Sequence, residues 1–300
     1  MEKRLFVSGV NGLLGQRVAR AALGCMEVFG GDVQQAGVVE GVAYETLDIT
    51  DRGAVMEAME CIQPAGVVHT AAMTNVDLCE TEREQAWVVN VEGTRHVAAA
   101  CARTGAWMVH LSTDYVFDGT AGPYAEDDPA HPLSYYGVTK WESEKAVRAC
   151  LADAMIVRTM VLYGWGIGTR PNFVTWAIQE LGEGRTVRIV TDQWGNPTFA
   201  DDLARALVDL VERRVSGCVH YAGRDYWTRY EMVLEIARQM GADVDLVCPT
   251  TTAELGQPAR RPLRSGLKTH KMEELLGRKP MAFREGLEQV LRQMGNIVDR

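Results

Sequence analysis

The chain has 300 residues, 47% of them hydrophobic, and a formal net charge of −9 at pH 7. This length supports a large buried core, either as one α/β domain or as one such domain with about half a domain more. The acidic net charge argues against a nucleic-acid partner, because such a partner would need a basic surface. No apolar run approaches the roughly 18 residues of a membrane helix, so no membrane span or membrane partner is expected.

The cysteines and histidines give no sign of a metal site. The seven cysteines are scattered without a C-x-x-C pair, and the six histidines have no metal-ligand spacing. The N-terminal stretch MEKRLFVSGVNG lacks the long apolar region of a secretory signal. We therefore expect a cytoplasmic protein with reduced thiols.

A short apolar strand at 4–8 runs into a glycine-rich turn, and a helical pattern follows at 16–23. The turn places Gly9, Gly12 and Gly15 in the spacing G-x-x-G-x-x-G. This is a variant of the dinucleotide fingerprint, in which glycines allow the backbone to approach a pyrophosphate at the helix N-terminus. An ordinary strand-to-helix turn is the alternative, but the context favours a cofactor site.

A second strand is predicted at 25–29, and Asp32 follows it. An acid about 20 residues beyond the glycine turn commonly binds the adenosine ribose hydroxyls, and its charge repels a 2′-phosphate. Asp32 therefore favours NAD over NADP, although Arg17 and Arg20 lie near in sequence. A solvated loop carboxylate is the alternative for Asp32.

The next elements continue the alternation of strands and helices. We predict a third strand at 43–47, where Asp48 can face adenine, a helix at 51–61 and a fourth strand at 66–70. The small residues in the stretch that follows, 71–77, let a flat cofactor lie close to the backbone. His69 is interpreted as a packed strand residue.

A long helix at 82–103, a fifth strand at 107–111 and a sixth at 154–158 complete this half of the chain. The alternation predicts an α/β fold with a Rossmann-type, doubly wound parallel sheet.

The stretch after the fifth strand contains the residues suited to proton transfer. Tyr136 and Lys140 lie four apart on a predicted helix at 133–149, so they share one face. The lysine can lower the tyrosine pKa, which prepares the phenol to exchange a proton with a carbonyl or alcohol oxygen. The hydroxyls of Ser112 and Thr113 can hydrogen-bond that oxygen.

After residue 163 the chain changes to glycine-rich loops and short elements, which predicts a small, discontinuous C-terminal substrate domain. The dinucleotide-binding domain is assigned 1–163 plus about 191–222, and the substrate domain about 164–190 and 223–300.

Taken together, these motifs resemble the extended short-chain dehydrogenase/reductase family, in its dTDP-4-dehydrorhamnose reductase branch. STDYVFDG at 112–119 and DQWGNPT at 192–198 are specific to the branch, whereas the glycine turn and YGVTK at 136–140 belong to the wider superfamily. The remaining matches are LDITD at 47–51, HTAAMTNVD at 69–77, VNVEGT at 89–94, IVRT at 156–159, and RPLRSGL with Lys271 at 261–271.

The resemblance implies a set of site residues. In the catalytic set, Tyr136 is the general acid/base and Lys140 is its partner. Thr113 positions the reacting oxygen, with Ser112 as second choice. The cofactor set is Gly9, Asn11, Gly12, Leu13, Leu14, Gly15, Asp32, Asp48, Ile49, Ala71, Ala72, Thr74, Asn90, Tyr136 and Lys140, with Val10 in the same turn. The substrate set is Thr74, Val76, Ser112, Thr113, Asp114, Tyr115 and Arg264.

Two departures from the family pattern concern the substrate. Family members often have a tryptophan in the segment that here reads Met160-Val161-Leu162-Tyr163. The usual R-P-x-N-S-R-L motif reads RPLRSGL, so Arg264 replaces the asparagine and Gly266 the arginine.

The resemblance implies an oxidoreductase that uses NAD or NADP (NADH or NADPH) on a sugar or nucleotide-sugar carbonyl, with dTDP-4-dehydrorhamnose as the first choice of substrate. Two alternatives stay open. One is a dehydrogenase of a different, non-nucleotide sugar, and the other is a non-catalytic dinucleotide-binding subunit like the regulatory subunit of methionine adenosyltransferase. A homodimer is also considered.

Overall fold

The structure is a computed structural model, and it describes residues 3–298. The strands within this range are β1 Arg4–Ser8, β2 Glu27–Asp32, β3 Ala43–Thr46, β4 Gly66–His69, β5 Trp107–Thr113, β6 Met155–Thr159, β7 Leu162–Tyr163, β8 Val187–Val190, β9 Trp194–Gly195, β10 Thr198–Phe199, β11 Gly217–His220, β12 Trp227–Thr228 and β13 Val247–Thr250. The α-helices are α1 Leu13–Ala22, α2 Arg52–Ile62, α3 Val76–Thr81, α4 Arg83–Trp87, α5 Thr94–Thr104, α6 Tyr135–Cys150, α7 Phe173–Gly182, α8 Ala200–Arg213, α9 Arg229–Met240, α10 Thr252–Leu255, α11 His270–Leu276 and α12 Phe283–Val298.

The large sheet is entirely parallel, in the order β11-β6-β5-β4-β1-β2-β3. The chain builds outward from β1 in one direction and then returns to continue from β4 in the other. The switch point between β1 and β4 is where open α/β sheets bind ligands, at the carboxyl ends of the strands. The predicted Rossmann-type doubly wound sheet is confirmed.

Side-chain alternation along β1 explains how the sheet is covered on both faces. Leu5 and Val7 point into a core shared with α1 and α8, while Phe6 points into the opposite core with α2 and α5. Strands buried on both faces need continuous apolar runs, which is the pattern that identified them in the sequence.

The second strand differs from the prediction, because it continues through Gly30 and Gly31 to Asp32. A Cβ on Gly30 would lie 2.6 Å from the Val10 side chain, and one on Gly31 would lie 2.8 Å from Phe6. The two glycines are therefore strand residues that make room for close packing, rather than the end of the strand. Asp32 is consequently fixed at the carboxyl edge of the sheet.

The predicted long helix at 82–103 is three elements, since a π-helical turn at Val88–Gly93 lies between α4 and α5. Asn90, in the middle of this turn, is buried. Such π-turns occur frequently at functional sites because they reorient a side chain.

A third core is formed by the part of the chain that follows β6. It joins α7, α9 and α12 to the parallel pair β8 and β13, with Ile178, Ile189, Met232, Ile236 and Phe283 among its buried residues. None of the helices in the range 3–298 is both long and apolar enough to cross a membrane.

Candidate active site

The glycine turn after β1 is shaped by close contacts that exclude side chains. Gly9 has φ +72°, and a Cβ there would lie 2.7 Å from the Ala71 backbone. A Cβ on Gly15 would lie 2.2 Å from the carbonyl oxygen of Gly9. Gly12 begins α1 without a side-chain cap, so the first N–H groups of the helix keep their capacity to bind an anion. This cradle fits a dinucleotide pyrophosphate.

A cavity of about 680 Å³ opens beside this turn, at the carboxyl ends of β1, β2 and β4. The predicted cofactor residues that line it are Gly9, Gly12, Asp32, Asp48, Ile49, Ala71 and Ala72. Sequence reasoning missed Thr70, Met73, Glu82, Glu84, Gln85, Val88 and Val89, which also line it. Glu84, Gln85, Val88 and Val89 come from α4 and the π-turn. Of these four residues, only Val89 lies in a recognised motif, and the packing of the two elements brings the others to the cofactor cavity.

Two predicted cofactor residues act on the cavity indirectly. The Asn11 side chain donates to the carbonyl of Ala36 at 2.9 Å and accepts from the Val38 N–H at 3.1 Å, so it organises the loop after β2. Leu14 is buried in the core under the sheet. Both residues stabilise the glycine turn after β1.

Asp32 faces the cavity with a half-buried carboxylate, one oxygen of which accepts the Asn11 backbone N–H at 3.1 Å. Asp48 is exposed at the cavity rim and accepts from the hydroxyl and N–H of Thr50 at 2.8 and 2.9 Å. Thr74 is exposed and Val76 begins α3, and neither lines this cavity.

Tyr136 stands in the first turn of α6, which Ser134 caps by accepting the Gly137 N–H at 3.2 Å. A Cβ on Gly137 would lie 2.3 Å from the Tyr115 carbonyl oxygen, so this glycine lets the helix approach the segment after β5. The Tyr136 and Tyr115 rings meet edge to face at 5.6 Å between centroids. The helix start and the end of β5 therefore meet at Tyr136.

Strand alternation separates the two predicted hydroxyls, Ser112 and Thr113, which are the last two residues of β5. Thr113 lies on the side of Tyr136 and donates to Asp114 at 3.1 Å. Ser112 is buried on the opposite side and donates to Glu144 at 2.6 Å. The assignment of Ser112 as a substrate contact stays a prediction, and in this structure its hydroxyl is hydrogen-bonded to Glu144.

The Asp114 carboxylate is engaged in hydrogen bonds within the protein and is not open to a substrate. It is buried, and its second carboxylate oxygen accepts the Ser265 hydroxyl at 2.6 Å. Burial raises its pKa, and the hydrogen bonds from Ser265 and Thr113 oppose that rise. Asp114 thus ties the end of β5 to the C-terminal part of the chain.

The pKa of Tyr136 differs from the prediction, and the pKa of Lys140 is also shifted. Burial raises the pKa of Tyr136, and the Thr113 hydroxyl only partly opposes this. The expected net lowering is not seen, because burial and the nearby Asp114 raise the pKa of the phenol more than the Thr113 hydrogen bond lowers it. Burial lowers the pKa of Lys140 to about 8, against the influence of Glu144. At neutral pH the phenol keeps its proton and Lys140 remains mostly charged.

Buried polar side chains hydrogen-bond to the elements that surround Tyr136 and Lys140. Asn90 accepts the Met73 N–H at 2.8 Å and donates to the Thr139 hydroxyl at 3.0 Å, so it joins the loop after β4 to α6. His69 bonds Ser8 at 2.6 Å and Thr94 at 3.0 Å, and burial followed by the charge of Lys140 lowers its pKa to about 3. His69 is therefore a neutral packed residue, as predicted.

A second cavity, of about 470 Å³, is lined both by Tyr115 and by Val187 and Ile189 of the third core. Phe173, Trp176, Arg188, Arg229 and Arg261 are among its lining residues. Arg261 lies in a recognised motif, but no motif in the sequence marks the other four residues. They meet only because α7, α9 and the C-terminal segment pack together.

Arg264, predicted to bind substrate, is exposed and does not line either of the two cavities. Its backbone pairs with Gly119 at 2.8 Å and Gly122 at 3.0 Å, and its charge acts on Tyr226. The cations of the second cavity come instead from Arg188, Arg229 and Arg261.

The segment that departs from the family pattern is strained. Val161 has φ +44°, which a β-branched residue rarely adopts. Thr198 holds it there, since its N–H donates to the Val161 carbonyl at 3.0 Å and its hydroxyl to the Met160 carbonyl at 2.6 Å. Strain of this kind is concentrated at functional sites, and here it lies between β6 and β7.

Within residues 3–298 no group of three or more His, Cys, Asp or Glu side chains is arranged to hold a metal ion. A parallel sheet of this order, with a glycine-rich turn at its switch point and a tyrosine and lysine on the following helix, defines an NAD(P)-dependent oxidoreductase of the short-chain dehydrogenase type. The family model described as RmlD substrate binding domain matches residues 3–296, and the chain belongs to this family.

Individual relatives agree with the family. The chain is 40% identical over 271 residues to a dTDP-4-dehydrorhamnose reductase of Streptomyces griseus, covering 88% of this chain and 85% of the relative. It is 33% identical over 298 residues to the spore coat polysaccharide biosynthesis protein SpsK of Bacillus subtilis (strain 168), covering 99% of each. The crystal structure of dTDP-4-dehydrorhamnose reductase from Bacillus anthracis str. Ames in complex with NADP has a TM-score of 0.89 at 31% identity, over 98% of this chain and 100% of that one. The predicted resemblance is confirmed.

Proposed function

We propose that this oxidoreductase reduces the keto group of dTDP-4-dehydro-6-deoxy-L-mannose to give dTDP-L-rhamnose. The observation that carries the proposal is the convergence of Thr113 and Tyr136 next to Tyr115, where the second cavity begins. One cavity suits a dinucleotide and the other suits a second elongated ligand. The 40% identity to a dTDP-4-dehydrorhamnose reductase supports the choice of sugar.

The proposed mechanism divides the work between cofactor and protein. A nicotinamide cofactor, when bound, would supply the hydride for the carbonyl carbon. The glycine turn would hold its pyrophosphate, and Thr113 holds the carbonyl oxygen in position. Tyr136 donates its phenolic proton to the developing alkoxide, and the charged Lys140 stabilises the phenolate that remains. The raised pKa of Tyr136 suits this direction, because the acid must be protonated at neutral pH.

The test follows the absorbance of the reduced nicotinamide with dTDP-4-dehydro-6-deoxy-L-mannose and a panel of other keto-sugars. Tyr136→Phe removes the proton donor, and we expect turnover to fall by about 10²–10⁴. Tyr135→Phe is the matched control, because Tyr135 lies against the Arg83 guanidinium at 4.9 Å and should retain activity. Near-wild-type turnover of Tyr136→Phe would contradict the assigned role.

The alternative of a non-catalytic regulatory subunit is less well supported, because Thr113, Tyr136 and Lys140 are all present. Absence of turnover with every sugar, together with co-purification of a larger enzyme, would favour it.

The predicted cytoplasmic location and homodimer belong to the same proposal. All seven cysteines are free thiols, which supports a reducing compartment. Sedimentation of the purified protein would test the homodimer.

A further inference from the structure

The Arg229 guanidinium lines the second cavity without an anionic partner. It lies over the Phe173 ring, with Cζ 4.7 Å from the ring centroid, and no carboxylate of residues 3–298 forms an ion pair with it. Asp114, whose charge reaches it, already accepts hydrogen bonds from Thr113 and Ser265. The charge of Arg229 therefore remains available to a ligand.

The other two arginines of the cavity are engaged. Arg261 is held by both carboxylate oxygens of Asp77, each at 2.8 Å. Arg188 is exposed and donates to the Thr250 hydroxyl at 3.0 Å. Arg229 thus differs from both in having no polar partner among the described residues.

The helix that carries Arg229 does not itself attract the anion. At the start of α9, Thr228 accepts the Glu231 N–H at 3.1 Å, and Glu231 accepts the Thr228 N–H at 2.7 Å. This reciprocal cap occupies the helix end. An anion in the cavity would therefore meet the guanidinium, whose planar fork suits phosphate oxygens.

The position of Arg229 along the cavity indicates which part of a ligand it meets. Tyr115, beside the catalytic Tyr136, marks the reacting end. Phe173 and Trp176 form an aromatic wall further along, with 6.2 Å between their ring centroids. Arg229 contacts Phe173 and acts electrostatically on Tyr115, so it lies between these ends.

We propose that Arg229 binds the diphosphate of a nucleoside diphosphate sugar, with the sugar towards Tyr136 and the nucleoside towards Trp176. This inference rests on the proposed function and adds which residue binds the diphosphate of that substrate. It assigns the anion site to a residue outside the motifs that identify the family.

The test is calorimetric titration of the NADH-saturated protein with dTDP and, separately, with thymidine. Arg229→Gln should weaken dTDP binding about 10- to 100-fold, because a charge-assisted contact is lost, and should leave thymidine binding unchanged. Arg229→Lys should restore part of the affinity. Arg238→Gln is the matched control, since this exposed arginine lies on the same helix and, among residues 3–298, forms an ion pair only with Glu235, at 3.8 Å. Thermal unfolding and NADH affinity of each variant verify that the fold is intact.

The outcomes separate this inference from the proposed function. Equal dTDP affinity in wild type and Arg229→Gln, with normal reduction of the dTDP-sugar, would overturn the role of Arg229 and leave the reductase assignment in place. A specific loss of dTDP affinity without turnover of dTDP-4-dehydro-6-deoxy-L-mannose would support the diphosphate site and overturn the choice of sugar. Failure of dTDP to bind the wild-type protein would overturn the inference.

Discussion

Two ionisable side chains at the centre of the site have pKa values shifted in opposite directions by the same cause. Burial disfavours the charged form of each, so the pKa of Tyr136 rises and that of Lys140 falls to about 8 from 10.5. Near neutral pH the phenol is a proton donor and the ammonium is available to stabilise its conjugate base. This pairing suits reduction of a carbonyl.

The lowered pKa of Lys140 gives a prediction for the pH dependence of turnover. The ammonium is present below about pH 8 and is lost as the pH rises through that value. We therefore expect kcat for keto reduction to fall above pH 8, measured with both substrates saturating. The sign for stability is opposite, since the unfolded chain binds this proton more tightly and stability rises between pH 8 and the usual pKa. An alkaline limb near pH 10.5 would contradict the assignment.

Asp32 leads to a prediction about cofactor choice. Its carboxylate lines the cofactor cavity at the end of β2, where it would repel a 2′-phosphate. We expect wild type to prefer NADH, and Asp32→Ser to raise the ratio of kcat/KM for NADPH over NADH by about tenfold or more. Asp48→Asn, at another carboxylate of the cavity, should affect both cofactors alike. Equal wild-type efficiency with the two cofactors would refute the preference.

At the scale of elements, the turn between β1 and α1 depends on glycines because it leaves no space for a Cβ. A Cβ on Gly15 would lie 2.2 Å from the Gly9 carbonyl oxygen and 2.7 Å from the Val10 Cα. These neighbours are backbone atoms that cannot rotate away. The turn and the helix start must therefore move together if a side chain is introduced.

Gly15→Ala should consequently weaken cofactor binding by at least about tenfold and lower the midpoint of thermal unfolding by several degrees. Gly24→Ala is the control, because a Cβ at that position meets nothing within 4 Å. Its effect on stability should stay within about 0.5 kcal/mol. Fluorescence titration with NADH and a thermal melt measure both quantities, and identical behaviour of the two variants would exclude the steric explanation.

At the scale of the whole molecule, polar contacts join α3 to the C-terminal segment at Arg261, which lines the second cavity. Asp77 accepts from both Arg261 nitrogens and from the Ala259 N–H at 2.9 Å. Burial raises the pKa of Asp77, but the hydrogen bonds from Arg261 and Ala259 outweigh this and lower it overall. The contact therefore contributes at neutral pH and is lost as the pH falls through the lowered pKa.

Asp77→Asn should destabilise the fold by about 1–3 kcal/mol and raise KM for the sugar more than KM for the cofactor, because it loosens one wall of the second cavity. Denaturant unfolding and steady-state kinetics measure the two effects. Glu288→Gln, in an exposed pair with Arg292, is the control and should leave both unchanged. A purely cofactor-directed effect of Asp77→Asn would contradict this role.

The predicted division into two domains remains a proposal, and the packing of α11 bears on it. Met272 and Leu276 lie in the core beneath the large sheet, together with residues of α1 and α8. We propose that α11 moves with the dinucleotide-binding unit, although the rest of 223–300 was assigned to the substrate domain. Limited proteolysis would locate the boundary.

The sequence by itself determined the dinucleotide-binding half of this protein. The apolar strands, the glycine turn, Asp32 at the sheet edge and the Tyr136–Lys140 pair depend on backbone geometry over a few residues, so their spacing carries the information. Only the tertiary structure decided that Ser112 is committed to Glu144 and that Arg264 is exposed. It also decided which arginine is left unpaired in the second cavity, because burial, competing carboxylates and the spaces between helices depend on segments far apart in the chain.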